Sequence, residues 1–223
     1  MLKYYFNLSP NPSKVALFLE EAGIPYEPIP VDTRMGEQHV PEFLKINPNG
    51  KVPAIVDNGR VVFDSNAILL YLAEKEGKFL PPAEFRGELL SWHMFVATGV
   101  GPFSGQAVHF RHFAPEDVPY AKKRYQYEAR RHFGVLDQRL ASHRYMVGDQ
   151  YTIVDMNVWG WARVIPFILG EDALGECPNV KRLLDEINAR PAATRAIALK
   201  ERFAFKADMD EDARRHMFKH LAA

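Results

Sequence analysis

Two short segments of the sequence contain residue types that could bind a small charged peptide. Pro53 stands directly before a predicted strand and is a candidate for a cis peptide bond, beside which the main chain of Val52 could pair with an extended peptide. Ser65 opens a predicted helix, and its hydroxyl and the free amides of that helix start would suit a carboxylate. The neighbouring Asp64 could bind an ammonium group.

Two more side chains and one more loop belong to the same set of candidates. Lys51 could supply a positive charge, and Gln38 a hydrogen bond, to a second carboxylate. The segment Ser9–Pro12 lies at the start of the first predicted helix. Taken singly, each of these signals is more often structural, because Asp-Ser pairs commonly cap helices and a lone lysine is usually a solvated charge. Their order and spacing along the chain favour a site.

These loops belong to a region in which strands and helices alternate. Apolar periodicity and turn signals predict strands at Leu2–Phe6, Tyr26–Val31, Ala54–Asp57 and Arg60–Phe63, and helices at Ser13–Ala22, Pro41–Ile46 and Ser65–Glu76. The Asn58-Gly59 pair between the last two strands is a strong hairpin signal. The order βαβ-α-ββα predicts an α/β thioredoxin-like domain, whose sheet would gather the candidate loops at one end.

The sequence changes character after residue 80, because the remaining residues carry helical periodicity. The predicted helices are Glu84–Val100, Tyr120–Ser142, Thr152–Ile165, Asn179–Ala189, Ala192–Phe203 and Asp210–Leu221. We therefore expect a thioredoxin-like domain at 1–80, a linker at 81–86 and an all-α helical-bundle domain with a substrate pocket at 87–223. Within the helical domain, Thr152-Ile-Val-Asp155 predicts a capping box.

Composition argues against several classes of protein. The 28 basic and 28 acidic residues balance, so no net charge would attract nucleic acid, and no run reaches the roughly 20 apolar residues that cross a bilayer. Pro10 and Pro12 interrupt the start before a signal-like apolar core could form, and this start and the single cysteine, Cys177, favour the cytoplasm. The pairs His109/His112 and His216/His220 lack the further ligands of a metal shell, so we expect no metal.

The sequence also resembles a known family. The Val52-Pro53 turn, the run from Asp64 to Leu72 and the Thr152–Asp155 cap are similar to those of the cytosolic glutathione transferases, and the resemblance covers nearly the whole chain. Five segments are most similar to the bacterial Nu class, whose members act as glutathione-dependent disulfide-bond oxidoreductases: Ser9–Asn11, Glu42–Asp57, Gly101–Gln106, Pro119–Ala121 and Arg124–Gln126.

The resemblance implies a glutathione site in a homodimer. Its binding residues would be Gln38, Lys51, Val52, Pro53, Asp64 and Ser65, with Arg131 reaching a glutathione carboxylate from the neighbouring subunit. Ser9 and Asn11 would be catalytic, donating hydrogen bonds to the glutathione sulfur with help from the amides of the first helix. Nu-class members have threonine where this chain has Ser9. For Arg131, an ion pair with Glu128 on its own helix is the alternative. The outer wall of the pocket would include His109, Phe110 and His112.

The absence of a cysteine at the position of Ser9 implies that glutathione itself is the attacking thiolate. The resemblance then implies reduction of small disulfides, with a second glutathione resolving the mixed disulfide. Two alternatives stay open: an enzyme that conjugates or isomerises carbon electrophiles, and a non-catalytic scaffold that binds glutathione or another ligand. The tail Asp208–Ala223 is expected to pack against the body of the protein through Ala213, Met217 and Leu221.

Overall fold

The computed structural model of the chain describes residues 1–219. The strands are β1 (Leu2–Phe6), β2 (Tyr26–Pro30), β3 (Ala54–Asp57) and β4 (Arg60–Phe63). The helices are α1 (Pro10–Ala22), α2 (Pro41–Leu44), α3 (Ser65–Glu76), α4 (Arg86–Phe95), α5 (Gly101–Val108), α6 (Pro119–Ala141), α7 (Ile153–Ala162), α8 (Ile165–Leu169), α9 (Pro178–Asn188), α10 (Pro191–Ile197), α11 (Leu199–Arg202) and α12 (Glu211–Met217). Within residues 1–219, every helix is too short or too polar to span a bilayer.

Contacts between residues divide the chain into two compact units. The first contains Met1–Leu72 and the described residues from Ala192 onward, and the second is Ala73–Pro191. The sequence placed the C-terminal residues with the helical domain. The structure groups them with the first unit instead, because aromatic side chains of this segment pack on the sheet: Phe203 lies edge-on against Phe6, with ring centroids 5.3 Å apart.

The first unit has the predicted α/β thioredoxin-like architecture. Its sheet has the order β2-β1-β3-β4, with β1 parallel to β2 and antiparallel to β3. Tyr4 and Phe6 are buried on one face of the sheet, where the Tyr4 hydroxyl donates to the carbonyl of Pro12 in α1 at 2.6 Å. On the other face, Tyr5 packs against Phe43 of α2. The sheet is therefore covered by helices on both faces, and its inner strands can carry apolar side chains on both faces.

Several element ends differ from the predicted ones for local reasons. Helix α1 begins at Pro10 rather than Ser13, because proline is well tolerated in the first turn of a helix, where its missing N–H has no helical acceptor. It ends as predicted before Gly23, whose φ of 69° supplies the left-handed C-terminal conformation. Strand β2 ends at Pro30, and α2 ends at Leu44, so both are shorter than predicted.

The second unit is all-helical, as predicted, and α7 begins with the predicted capping box. The Thr152 side chain accepts a hydrogen bond from the Val154 N–H, and the Asp155 carboxylate accepts one from the Thr152 N–H at 2.8 Å. The other Asp155 oxygen accepts from the main-chain N–H of Met146, also at 2.8 Å. Burial raises the pKa of Asp155 to about 6. This buried carboxylate therefore fixes both the helix start and the loop before it.

The glycine-rich segment after α4 continues the helical path, whereas the predicted helix Glu84–Val100 ended at Val100. A π-helical turn (Val96–Val100) leads into α5, and another (His109–Phe113) follows it. A Cβ at Gly99 would lie 2.6 Å from the His132 ring, and one at Gly101 would lie 3.3 Å from Trp161 Nε1. The glycines therefore allow close side-chain packing rather than ending the helix.

Candidate active site

Four strand ends meet at one edge of the sheet in the first unit. Tyr5 in β1 is in register with Ile29 in β2 and with Ala54 in β3, and Ala54 is in register with Phe63 in β4. The segments after β1, β2 and β4 and the segment before β3 consequently leave the sheet at the same edge. They carry Ser9, Asn11, Gln38, Lys51, Val52, Pro53, Asp64 and Ser65. The fold thus brings these predicted site residues to a common edge.

At the start of α1, the two predicted catalytic side chains differ in their hydrogen bonding. The Ser9 hydroxyl and the Ser9 N–H both donate to Asn7 Oδ1, at 2.6 and 3.0 Å. Asn11 is half-buried, and no residue in the described range hydrogen-bonds its side-chain amide. Because Pro10 and Pro12 have no N–H, Asn11 supplies the only main-chain donor of the first three helix positions. The help expected from the helix amides is therefore limited to this residue.

The loop before β3 is organised by a buried side chain that the sequence analysis did not select. Asn47 donates from Nδ2 to the carbonyl of Lys51 at 2.6 Å, and its Oδ1 accepts from the Asn49 N–H at 3.0 Å. The Lys51 side chain is exposed. The Val52–Pro53 peptide bond is cis, as predicted. The sequence Asn47-Pro48-Asn49-Gly50 is typical of a turn, but only the fold shows that one asparagine closes this loop.

The start of α3 is built on Asp64, whose φ is 70°. Its Oδ1 accepts from the main-chain N–H groups of Asn66 and Ala67, at 2.8 and 3.1 Å. One carboxylate oxygen therefore caps the helix. The other oxygen has no hydrogen-bond partner in the described range, so it could bind an ammonium group. Ser65 is buried at the first position of the helix.

A buried lysine lies beside this helix start, and sequence reasoning missed it. Lys14 in α1 is 1% exposed, and its Nζ donates to Asn66 Oδ1 at 3.2 Å. Burial lowers the pKa of Lys14 to about 7, although the Asp64 carboxylate raises it. The one signal in the sequence is that Lys14 falls among the apolar positions of α1. The charge of Asp64 that favours the cationic form of this lysine belongs to the same carboxylate that would bind an ammonium group.

Gln38 lies in the turn after β2 and is 4% exposed. Its Nε2 donates to the carbonyls of Thr33 and His216, both at 3.1 Å. Its Oε1 is buried and has no hydrogen-bond partner in the part of the chain that the structure describes. A Cβ at Gly50 would lie 3.2 Å from the Gln38 carbonyl, so this turn closely approaches the loop that carries Lys51.

Arg131 belongs to α6 of the second unit. Its Nε donates to Glu128 Oε2 at 2.9 Å, and Arg124 Nη1 donates to Glu128 Oε1 at 2.9 Å. The hydrogen bond from Arg131, more than the other nearby cations, lowers the pKa of Glu128. Arg131 thus forms an ion pair with Glu128 on its own helix. This pair is the alternative that the sequence analysis gave to a contact with a glutathione carboxylate.

The predicted outer-wall residues also lie in the second unit, in the π-helical turn after α5. The His112 ring stacks on Phe167 with centroids 4.1 Å apart. The Phe110 ring stacks on Tyr125 at 5.3 Å, and His109 meets Phe110 edge-on. These three side chains therefore belong to an aromatic surface of this unit.

The single cysteine is buried, in surroundings that disfavour its thiolate form. Cys177 precedes α9 in the second unit and is 7% exposed. Burial, followed by the charges of Asp137 and Glu176, raises the pKa of Cys177 to about 11. Within residues 1–219, no group of three or more His, Cys, Asp or Glu side chains is arranged to hold a metal ion.

Comparison with known proteins agrees with this geometry along most of the chain. Residues 1–74 match the family "Glutathione S-transferase, N-terminal domain", and residues 101–191 match "Glutathione S-transferase, C-terminal domain". The disulfide-bond oxidoreductase YfcG of Escherichia coli K12 is 42% identical over 205 residues, which cover 88% of this chain and 94% of the relative.

Two solved structures are similar to this one. A glutathione transferase from Burkholderia graminis, with two glutathione molecules bound per subunit, has a TM-score of 0.84 and 39% identity, covering 91% of this chain and 89% of that one. A glutathione transferase from Pseudomonas putida, with one glutathione disulfide bound per subunit, has a TM-score of 0.81 and 35% identity, covering 88% and 90%. The chain belongs to the glutathione S-transferase family.

Proposed function

We propose that this protein reduces small disulfides with glutathione, and that the thiolate of bound glutathione is the nucleophile. One observation carries this proposal: the sheet edge collects groups suited to a charged tripeptide but includes no cysteine. The only cysteine of the chain is Cys177, whose buried thiol has a pKa of about 11. A mechanism with a protein thiolate is therefore disfavoured. The relatives support the proposal, because one is named a disulfide-bond oxidoreductase and others hold glutathione or glutathione disulfide.

Glutathione has groups that match those at the sheet edge. Its γ-glutamyl end would place a carboxylate at Ser65 and the start of α3, and its ammonium group at the unengaged oxygen of Asp64. The cysteinyl main chain would pair with Val52. The glycine carboxylate would meet the charge of Lys51 and an amide hydrogen of Gln38. Such pairing of an extended peptide would direct the thiol toward the start of α1.

At the start of α1, Asn11 is the better-placed donor to the sulfur. Its side-chain amide is unengaged, whereas the Ser9 hydroxyl donates to Asn7 Oδ1 and would have to turn away from it. A hydrogen bond to the charged form lowers the pKa of a thiol, which near 8.5 would otherwise be mostly protonated at neutral pH. We therefore assign Asn11 the larger share of thiolate stabilisation and Ser9 the smaller one.

The reaction proceeds by two thiol–disulfide exchanges. The bound glutathione thiolate attacks one sulfur of the substrate, which forms a mixed disulfide and releases the other sulfur as a thiolate that takes a proton. A second glutathione thiolate attacks the glutathione sulfur of the mixed disulfide and releases the second substrate thiol. The substrate gains two electrons and two protons, and two glutathiones become one glutathione disulfide.

The test is steady-state turnover of 2-hydroxyethyl disulfide with reduced glutathione, beside conjugation of 1-chloro-2,4-dinitrobenzene by the same preparation. Disulfide turnover well above conjugation supports the proposal. The reverse ratio assigns the protein to carbon electrophiles, and inactivity in both assays favours a scaffold. Ser9→Ala combined with Asn11→Ala should abolish most disulfide turnover while folding and glutathione binding persist. Ser91→Ala, an exposed change on α4, is the matched control. Unchanged turnover in the double variant would contradict the assigned roles.

The proposal extends to assembly and location. Arg131 would serve a glutathione carboxylate only as part of a homodimer, in exchange for its pair with Glu128. Sedimentation equilibrium of the intact chain tests the dimer, and loss of glutathione affinity in Arg131→Met tests the contribution of the arginine. A cytoplasmic location, where thiols are kept reduced, remains a prediction of the same proposal.

A further inference from the structure

A C-terminal segment of the first unit is fastened to the turn after β2. We call residues 203–217 the strap. Asp32 Oδ2 accepts from the Lys206 N–H at 2.6 Å. Arg34 Nη1 donates to the Lys206 carbonyl at 2.8 Å and also to the carbonyl of Ala207. These main-chain contacts fix the beginning of the strap on the turn that carries Gln38.

The end of the strap reaches the side chain of Gln38 itself. The two hydrogens on Gln38 Nε2 are donated to the Thr33 and His216 carbonyls, both at 3.1 Å, and His39 Nε2, which lies 3.2 Å from Gln38 Nε2, is itself a donor. The His216 carbonyl also accepts from His39 Nε2 at 3.0 Å. The other polar atom of the Gln38 amide, Oε1, is buried and has no hydrogen-bond partner in the described range.

This arrangement conflicts with binding of a carboxylate at Gln38. A carboxylate only accepts hydrogen bonds, and a primary amide has two hydrogens to donate. Both hydrogens are already used, and the unused oxygen would repel an anion. The bond to Thr33 lies within the turn, whereas the bond to His216 joins the turn to the strap. Release of the strap is therefore the change that frees a donor without refolding the turn.

We propose that the strap and the glycine carboxylate of glutathione compete for the same amide hydrogen of Gln38. His216 is then a positioning residue that acts through its main-chain carbonyl: with the strap in place, Gln38 is directed away from the carboxylate. This inference rests on the proposed glutathione site and adds the regulation of its glycine subsite. Release of the strap should tighten glutathione binding by about tenfold, which is the order expected for one hydrogen bond to a charged group.

Two substitutions in the full-length chain loosen the strap by different means. Ala213 on α12 is fully buried, so Ala213→Glu should expel the helix. Asp210 caps the same helix by accepting from the Ala213 N–H at 2.8 Å, and Asp210→Ala removes that cap. The two variants change the net charge in opposite directions, so a shared effect cannot come from the added charge. Arg215→Gln, at an exposed position of α12, lowers the charge as Ala213→Glu does and is the control.

Binding is measured by calorimetry with two probes: glutathione, and glutathione whose glycine carboxylate is replaced by a carboxamide. We expect both loosened variants to bind glutathione about tenfold more tightly than the wild type, with little change for the carboxamide. Arg215→Gln should match the wild type. In a Gln38→Leu background, loosening the strap should have no effect on either probe. Circular dichroism confirms that each variant is folded.

Equal gains for both probes would show that the strap only covers the site, and would overturn the competition. Unchanged or weaker glutathione binding in the loosened variants would overturn it as well. No disulfide substrate is present in these titrations. The competition can therefore hold where disulfide turnover fails, and disulfide turnover can stand where the competition fails.

Discussion

Replacing Lys14 with methionine should change how the stability of the protein depends on pH. Burial lowers the pKa of Lys14 from 10.5 to about 7, so between these values the unfolded chain holds a proton that the native protein has released. Stability rises with pH wherever the unfolded state binds more protons. From pH 7 to pH 9 this one group should add about 2 kcal/mol to the free energy of unfolding. The Lys14→Met variant lacks this gain.

The measurement is urea denaturation of the wild type and of Lys14→Met at pH 7, 8 and 9, followed by far-ultraviolet circular dichroism. Tryptophan fluorescence is unsuitable, because all three tryptophans lie in the unit Ala73–Pro191. In Lys14→Met, Asn66 Oδ1 loses a hydrogen bond, which changes the free energy of unfolding by an amount independent of pH. The test is therefore the slope of the free energy of unfolding against pH. Lys3→Met, at an exposed position of β1, is the control. Parallel pH profiles for the wild type and Lys14→Met would refute the argument that Lys14 is neutral in the native protein above pH 7.

Three further predictions concern the second unit. Gly99→Ala places a Cβ where the buried His132 ring lies 2.6 Å away, and should lower the free energy of unfolding by about 1–3 kcal/mol in urea denaturation. Asp155→Asn leaves one buried main-chain N–H without an acceptor, which should cost about 1–3 kcal/mol. Because the pKa of Asp155 is raised, its contribution to wild-type stability falls as the pH rises from about 4 to 6, and denaturation across this range should show the wild type losing stability relative to the variant. Cys177→Ala should keep disulfide turnover, and at pH 8 iodoacetamide should alkylate wild-type Cys177 about a hundredfold more slowly than a free thiol, as mass spectrometry would show.

The sequence predicted the sheet well because its signals there are local. Strands β1, β3 and β4 and helix α3 have the predicted bounds, since the Asn58-Gly59 turn and the apolar patterns mark their ends. The continuation of the helical path past Val100 was not predicted. Glycine ends helices by its freedom at positive φ, but here it stays helical and leaves room for a ring from α6. That partner is more than thirty residues away in the sequence, so no local pattern contains it.

The candidate site shows the same division between local and distant information. Asp64 and the Val52–Pro53 bond could be singled out because a helix start and a turn before a strand have their own signals. The structure places Gln38 after β2 at the sheet edge, but the hydrogen bonding of its amide depends on His216, 178 residues further along the chain. An amide can offer a donor or an acceptor, and only its partners decide which. Residue type and spacing therefore indicate where a ligand could bind, whereas the availability of each atom follows from the fold.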